Sequence, residues 1–155
     1  MKRHPSLQPL SRDHHEALQQ VQTLRSAAES NPDDRRVTRV RFRDLWDGWF
    51  RDHLDLEERR LPLLIPTVGD IARLREEHDD IRFLAEEFVR GTAEAEPAGD
   101  LMLRLAERLY DHIRWEERQL FPAIEQATGE EKLRPLGVET RIVEAGRPRS
   151  CRPKP

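Results

Sequence analysis

A ten-residue pattern that occurs twice constrains the fold of this chain more than any other feature. Residues 52–61, DHLDLEERRL, align without a gap on residues 111–120, DHIRWEERQL, and the Asp, His, Glu, Glu, Arg and Leu positions coincide. In each copy a histidine precedes a glutamate by four residues, which places both side chains on one face of a helix. The repeat therefore predicts two related helices, each presenting a His–Glu pair.

Apolar residues recur at helical spacing in four runs, which predicts four helices. The runs lie at about residues 7–30, 37–61, 68–91 and 101–120, and Pro122 is expected to introduce a kink or a fresh helical start. The composition, with 36% hydrophobic and 37% charged residues and only 7 glycines, suits long amphipathic helices better than strands. We therefore expect an all-α fold, specifically an antiparallel up-down four-helix bundle.

The domain organisation follows from length and from the fading of the helical pattern. A chain of 155 residues is long enough for one domain with its own core. Beyond Thr128 the apolar periodicity fades, and the last ten residues are rich in proline and arginine. We expect the bundle to occupy residues 1–128 and an extended or flexible tail to occupy residues 129–155.

Composition excludes several classes of partner. The 30 acidic and 27 basic residues are interspersed, so no broad basic surface for nucleic acid is expected. No run approaches the roughly 20 apolar residues needed to span a bilayer, and the start has no apolar signal core, which predicts a soluble, cytoplasmic protein without membrane partners. The single cysteine, Cys151, allows neither an intrachain disulfide nor a thiolate cluster, so any metal must be bound by nitrogen and oxygen.

Histidines interrupt the apolar faces of the other two predicted helices. His14 lies four residues from both Leu10 and Leu18, and His78 lies four residues after Leu74. This spacing directs both imidazoles toward the core. The histidines of the repeat are directed inward in the same way, so that all four helices contribute one.

Four inward imidazoles and two carboxylates form a donor set for a pair of metal ions. A neutral imidazole offers one lone pair, and a carboxylate can bridge two cations about 3.5 to 4 Å apart. Any one of these residues alone would be explained as an ordinary core histidine or a solvated glutamate. Burying the set without a cation would cost on the order of several kcal/mol per uncompensated charge. The candidate ligands are His14, His53, Glu57, His78, His112 and Glu116.

Neighbouring side chains are weaker candidates. His15 is a rival to His14, but the residue seven positions on is apolar for His14 and polar for His15, so we expect His15 at the rim. Glu58 and Glu117 are rotated by about 140° from the repeat histidines, against about 40° for the chosen glutamates. They are expected at the surface or behind the ligands.

Aromatic residues accompany the candidate ligands. Six of them are expected to build the core and to shield the site from water: Trp46, Trp49, Phe83, Phe88, Trp115 and Phe121. A dry pocket of this kind favours small apolar gases. The aspartates that precede three candidate histidines suit hydrogen-bond acceptors as well as a solvated surface, and no role is assigned to them: Asp13, Asp52 and Asp111.

With these motifs the chain resembles the hemerythrin family, in particular the bacterial HHE cation-binding domains. Residues 10–18, LSRDHHEAL, are similar to the opening helix of that family, and each His-x-x-x-Glu element is followed by Leu-Pro or Leu-Phe-Pro. The similarity covers about residues 7–127. It implies a non-haem di-iron centre. In it, one metal is bound by His14 and His53, the other by His78 and His112, and both are bridged by Glu57 and Glu116.

One position departs from the dioxygen-carrying members of the family. They have a further histidine one helical turn before the position of His78, where this chain has Leu74. The resemblance therefore implies a metal with fewer protein ligands. Such an open position favours other small molecules or peroxide chemistry over simple reversible oxygen carriage.

The resemblance implies a cytoplasmic di-iron protein that binds or senses dioxygen, peroxide, nitric oxide or iron itself. A metal- or oxygen-binding protein is favoured over a dedicated enzyme, and no catalytic residue is assigned. One alternative is a di-iron enzyme that decomposes peroxide or repairs nitrosative or oxidative damage. Another is a structural bundle that holds zinc, because the same ligands also accept zinc or manganese. The oligomeric state is left open.

Overall fold

The computed structural model describes residues 2–92 and 94–148, so Cys151 lies outside the described residues. The described chain is all-helical and contains no strand, which confirms the all-α part of the prediction. Helix α1 is Gln8–Ala28; α2 joins Pro32–Leu45, Trp46–Phe50 and Arg51–Arg60; α3 is Val68–Arg90; α4 joins Gly99–Trp115, Glu116–Leu120 and Phe121–Ala127; and α5 is Glu130–Gly146. A short 3-10 turn, Leu61–Leu63, follows α2.

Capping side chains define where two of the long helices begin. Asn31 precedes α2, and its side-chain oxygen accepts a hydrogen bond of 2.9 Å from the N–H of Asp34. Thr67 precedes α3 and accepts one of 3.1 Å from the N–H of Asp70. Such caps satisfy N–H groups that have no partner in the first helical turn. They mark the breaks between the apolar runs that the sequence predicted.

Helices α2 and α4 each contain one π-helical turn, at Trp46–Phe50 and Glu116–Leu120. In each, the N–H that follows the turn donates to the carbonyl five residues earlier. The first turn contains Gly48, and the second is followed by Pro122, which has no N–H for a hydrogen bond within the helix. A π turn accommodates one extra residue. The side chains that follow it therefore point about 100° away from where an uninterrupted α-helix of the same sequence would place them.

The four long helices pack around a common core. Helix α1 packs on α2 and α4, and α3 likewise packs on α2 and α4, while α5 lies against α1. Within the described chain, no helix combines the length and the apolar character that crossing a membrane would require.

The core consists of two apolar clusters. One is formed by the end of α1, the middle of α2 and the facing parts of α3 and α4. The other contains Leu7, Leu10, Leu74 and residues from the ends of α2 and α4. On α1 and α3 the buried polar residues lie between positions of the two clusters, and on α2 and α4 the buried histidines and glutamates lie where one cluster gives way to the other; these residues are Asp13, His14, His53, Glu57, His78, His112 and Glu116. The fold thus places one polar layer between two apolar ones.

Five of the six predicted core aromatics are buried, but Phe83 is not. Its side chain is 62% exposed, whereas Phe88 on the same helix is 1% exposed. Five residues separate them, which is about 140° around a helix, and only Phe88 shares the buried face with Ile81. The expectation for Phe83 was therefore wrong because its helical phase did not match the apolar face.

The predicted tail over residues 129–155 was also wrong as far as Gly146, because the chain there forms helix α5. Leu133 and Leu136 on α5 are 2% and 1% exposed and belong to the second apolar cluster. The apolar stripe is narrow and Pro135 interrupts it, so periodicity alone gave little signal. Packing on the other helices stabilises this helix more than its own propensity does. Residues 149–155 of the predicted tail lie outside the described residues.

A glycine allows α5 to approach the start of the chain closely. A Cβ atom at Gly137 would lie 2.7 Å from the side-chain oxygen of Ser6 and 3.1 Å from its Cβ. An ion pair of 2.9 Å between Arg12 on α1 and Glu144 on α5 joins the same two parts of the molecule. The C-terminal helix is thus fastened to α1 and to the segment before it.

Candidate metal centre

All six predicted ligands meet in the polar layer between the two apolar clusters. Helix α1 supplies His14, α2 supplies His53 and Glu57, α3 supplies His78, and α4 supplies His112 and Glu116. None of the six is more than 2% exposed. The rival His15 lies on the exposed side of α1, where its imidazole is 3.4 Å from the side-chain amide of Gln19.

The six side chains form two adjoining groups, each able to hold a metal ion. One group consists of His14, His53 and Glu57, and the other of Glu57, His78, His112 and Glu116, with the donor atoms of each group within 4.8 Å of one another. The Nε2 atoms of His14 and His53 are 3.3 Å apart. Those of His78 and His112 are 3.0 Å apart. Glu57 is common to both groups.

The two buried carboxylates face both pairs of histidines. One oxygen of Glu57 lies 3.5 Å from Nε2 of His14 and 3.2 Å from Nε2 of His53. Its other oxygen lies 3.4 Å from Nε2 of His78. An oxygen of Glu116 lies 3.1 Å from Nε2 of His14 and 3.3 Å from Nε2 of His112. Glu57 thus faces both histidine pairs through different oxygens, whereas one oxygen of Glu116 lies near a histidine of each pair.

A second carboxylate lies behind each histidine and accepts a hydrogen bond from its Nδ1. The pairs are His14 with Glu117 at 2.7 Å, His53 with Asp13 at 2.9 Å, His78 with Glu58 at 3.0 Å, and His112 with Glu77 at 2.8 Å. Sequence reasoning assigned no role to Asp13 and overlooked Glu77. A signal was present, because each directly precedes an inward histidine on its own helix.

These outer carboxylates fix which imidazole nitrogen carries the proton. An ionised carboxylate can only accept a hydrogen bond, so every Nδ1 donates and every neutral imidazole presents its Nε2 lone pair to the site. The lone pairs of each histidine pair then face one another. Hydrogen bonds of this kind are the usual means of orienting metal-binding histidines.

The inner carboxylates of Glu57 and Glu116 face the lone pairs of the neutral imidazoles, so the site lacks hydrogen-bond donors. The Nε2 atoms lie 3.1 to 3.5 Å from Glu57 and Glu116. Even so, within the described residues none of the four oxygens of Glu57 and Glu116 has a partner in hydrogen-bond geometry. Buried acceptors without a donor are costly, and a cation satisfies lone pairs and carboxylates together. The residues present therefore fit a pair of metal ions.

The carboxylates around the site favour the protonated forms of His14 and His78 when no metal is bound. Burial alone would lower the pKa of His78, but the carboxylates of Glu57 and Glu58 raise it to about 9. Burial likewise opposes the charged form of His14, yet its neighbouring glutamates raise its pKa well above the usual value. The hydrogen bond from His78 lowers the pKa of Glu58 to about 2. Metal ions and protons thus compete for the same nitrogen atoms.

Two adjoining His/Glu groups buried in an all-helical core are typical of helical proteins that bind metal ions. A family model described as the hemerythrin HHE cation binding domain matches residues 6–124 of the chain. Because the match covers most of the chain, this protein belongs to that family. Comparison with curated proteins and with solved structures found no match.

Proposed function

We propose that this protein binds two iron ions in a non-haem centre and uses them to bind or sense a small ligand such as dioxygen, peroxide or nitric oxide. The proposed ligands of one ion are His14 and His53, those of the other are His78 and His112, and the bridges are Glu57 and Glu116. The observation that carries the proposal is the sharing of Glu57, whose two oxygens face different histidine pairs. A carboxylate placed in this way can bridge two neighbouring cations.

The arrangement of the helices supports this proposal. We infer that the four long helices form the antiparallel up-down bundle expected from the sequence, since short connections join them and each packs on two others. A bundle of this kind places inward side chains of facing helices opposite one another at the same height. The repeat in α2 and α4 then lies on opposite sides of the site.

The protein's own residues would hold, orient and enclose the metal pair. The four imidazoles and two carboxylates supply six side chains for two ions. The outer carboxylates keep the imidazole rings oriented through the Nδ1 hydrogen bonds. The apolar clusters on either side limit the access of water. When bound, a pair of iron ions supplies redox chemistry toward small oxygen- and nitrogen-containing molecules.

Leucines occupy the positions one helical turn before His14 and His78. Leu10 and Leu74 are 1% and 0% exposed, and both belong to the second apolar cluster. Neither can bind a metal, so each ion would be held by two histidines and by the shared carboxylates. Coordination positions left for an exogenous molecule would face apolar side chains. This favours a small, weakly polar ligand.

The first test is metal content together with the optical spectrum of protein purified from iron-supplemented cells. Two irons per chain, with a spectrum that changes on exposure to air, peroxide or nitric oxide, is the expected result. Catalytic loss of peroxide would instead favour the alternative of a di-iron enzyme. A colourless protein that holds zinc and takes up no iron anaerobically would favour a structural site.

The matched variant is Glu57→Ala combined with Glu116→Ala. It should abolish dinuclear binding while leaving a largely helical protein by circular dichroism, because the apolar clusters are untouched. Retention of two metals by this variant would contradict the assigned ligands.

A further inference from the structure

Each outer carboxylate behind a histidine is itself bound by an arginine. The pairs are Asp13 with Arg147, Glu117 with Arg3, Glu58 with Arg82, and Glu77 with Arg73. Every candidate ligand histidine is therefore the inner end of a histidine–carboxylate–arginine chain. A charged donor on the far side of a carboxylate fixes its position and keeps it ionised.

The four arginines come from two different parts of the molecule. Arg73 and Arg82, which act on the His78–His112 pair, lie on α3, one of the long helices that carry the ligands. Arg3 precedes α1, and Arg147 follows α5. These two act on Glu117 and Asp13, and so on the pair His14 and His53. One metal position is thus supported from within the bundle and the other from the terminal segments.

Arg147 is the most enclosed of the four. Its guanidinium donates two hydrogen bonds of 2.7 Å, one to each oxygen of Asp13. Its side chain is 4% exposed, compared with 44% for Arg73. The guanidinium also lies over the ring of Trp49, 5.0 Å from the centroid. A buried two-pronged ion pair of this kind holds its partner far more firmly than an exposed single contact does.

Asp13 is 2% exposed, and each of its two carboxylate oxygens accepts a hydrogen bond from the always-charged guanidinium of Arg147. Asp13 therefore remains an acceptor, and its second oxygen accepts the hydrogen bond from Nδ1 of His53. Two hydrogen bonds, from Arg147 to Asp13 and from His53 to Asp13, thereby connect the end of α5 to the candidate metal centre.

We propose that Arg147 is a positioning residue for His53, so that docking of helix α5 secures the metal position formed by His14 and His53. This inference rests on the proposed dinuclear site. Detachment of α5 removes Arg147 from Asp13, so that His53 is the remaining partner of that carboxylate. The ion held by His14 and His53 is then bound more weakly, while the ion held by His78 and His112 stays bound. The C-terminal helix thereby makes the two metal positions unequal, although their histidine and glutamate ligands are matched.

The test compares metal release from the full chain and its Arg147→Gln variant, both loaded with zinc and mixed with a chelator. Loss of a group that orients a metal-binding histidine typically weakens metal binding by about 10- to 100-fold. We therefore expect one of the two zinc ions to leave the variant about 10 to 100 times faster than from the unmodified chain, and the second at an unchanged rate.

Two ligand variants identify the ion that is affected. In a His112→Ala background, which weakens the other position, Arg147→Gln should accelerate release of the remaining ion. In a His53→Ala background it should have no further effect, because the residue through which Arg147 acts is gone. Equal acceleration in both backgrounds would overturn the proposal and indicate a general loss of stability.

The control for a merely structural role is Glu139→Gln, which removes the ion pairs that Arg59 and Arg60 of α2 make with α5 but involves none of the four arginines behind the histidines. Its release rates should match the unmodified protein. Arg147→Lys keeps the charge without the two-pronged geometry and should give an intermediate rate; it also decides the matter if Arg147→Gln does not fold. Unchanged release in Arg147→Lys and Arg147→Gln would refute the inference, whereas failure of the unmodified chain to bind two ions would refute the dinuclear site itself.

Discussion

Replacing Glu57 by alanine should weaken both metal positions at once. Its carboxylate belongs to both groups of donor atoms, with one oxygen 3.2 Å from Nε2 of His53 and the other 3.4 Å from Nε2 of His78. Removing His53, in contrast, takes a ligand from one position only. The two variants therefore separate a bridging carboxylate from an ordinary ligand.

The expected size of the effect follows from the number of ligands. A four-ligand structural zinc site has an apparent binding free energy of about 10 to 16 kcal/mol, so one ligand contributes on the order of 3 kcal/mol. That corresponds to roughly a 100-fold loss of affinity. For Glu57→Ala this loss should apply to each of two ions, and for His53→Ala to one.

Calorimetric titration of the metal-free protein with zinc, together with metal content after desalting, measures both affinities. Glu76→Ala, at an exposed position of α3, is the matched control and should bind like the unmodified chain. Two ions bound by Glu57→Ala within tenfold of the original affinity would refute the reasoning. Weakening of a single ion would show that Glu57 serves one position only.

Three further predictions concern stability. Leu136 lies on the buried side of α5 and is 1% exposed, so Leu136→Ala leaves a cavity and should lower the free energy of unfolding by about 2 to 5 kcal/mol, measured by urea denaturation. A change below about 1 kcal/mol would contradict the docking of this helix. Phe83→Ser should change it by no more than about 0.5 kcal/mol in the same assay, because the side chain is 62% exposed. In the metal-free protein the pKa of His78 is raised from 6.5 to about 9. The stability that protonated His78 contributes is therefore fully present below pH 6.5 and is lost as the pH rises through 9. Thermal unfolding of chelator-treated protein should therefore show a falling melting temperature over that range, and a rising one would contradict the assignment.

The helices and the inward direction of the ligands could be predicted because both depend on spacing along one helix. His53 and Glu57 are four residues apart, so helix geometry alone puts them on one face. The same reasoning distinguished His14 from the exposed His15. Where a side chain points is local information, and the repeat presents it twice.

Contacts between helices could not be predicted in the same way. The bond from His53 to Asp13 depends on the relative height of α1 and α2, which no periodicity encodes. Helix α5 was missed because its burial depends on a surface created by other helices, which Leu133 and Leu136 cover. Phe83 was misplaced for the opposite reason, since its apolar character was given more weight than its position on the helix.

The π turn at Trp46–Phe50 has a consequence for how this chain tolerates changes in length. Deleting Gly48 would remove one residue from that turn and could leave α2 a continuous α-helix with its backbone hydrogen bonds intact. Because that turn holds one residue more than an α-helical turn, the side chains before and after it would keep their relative directions. Deleting Asp47 as well would leave no surplus residue, and the side chains on one side would then rotate by about 100° relative to the other side. Either the apolar residues before the turn would leave their cluster, or His53 and Glu57 would turn away from the centre. Helix α2 can therefore lose one residue at this turn, but not two, and still present a complete site.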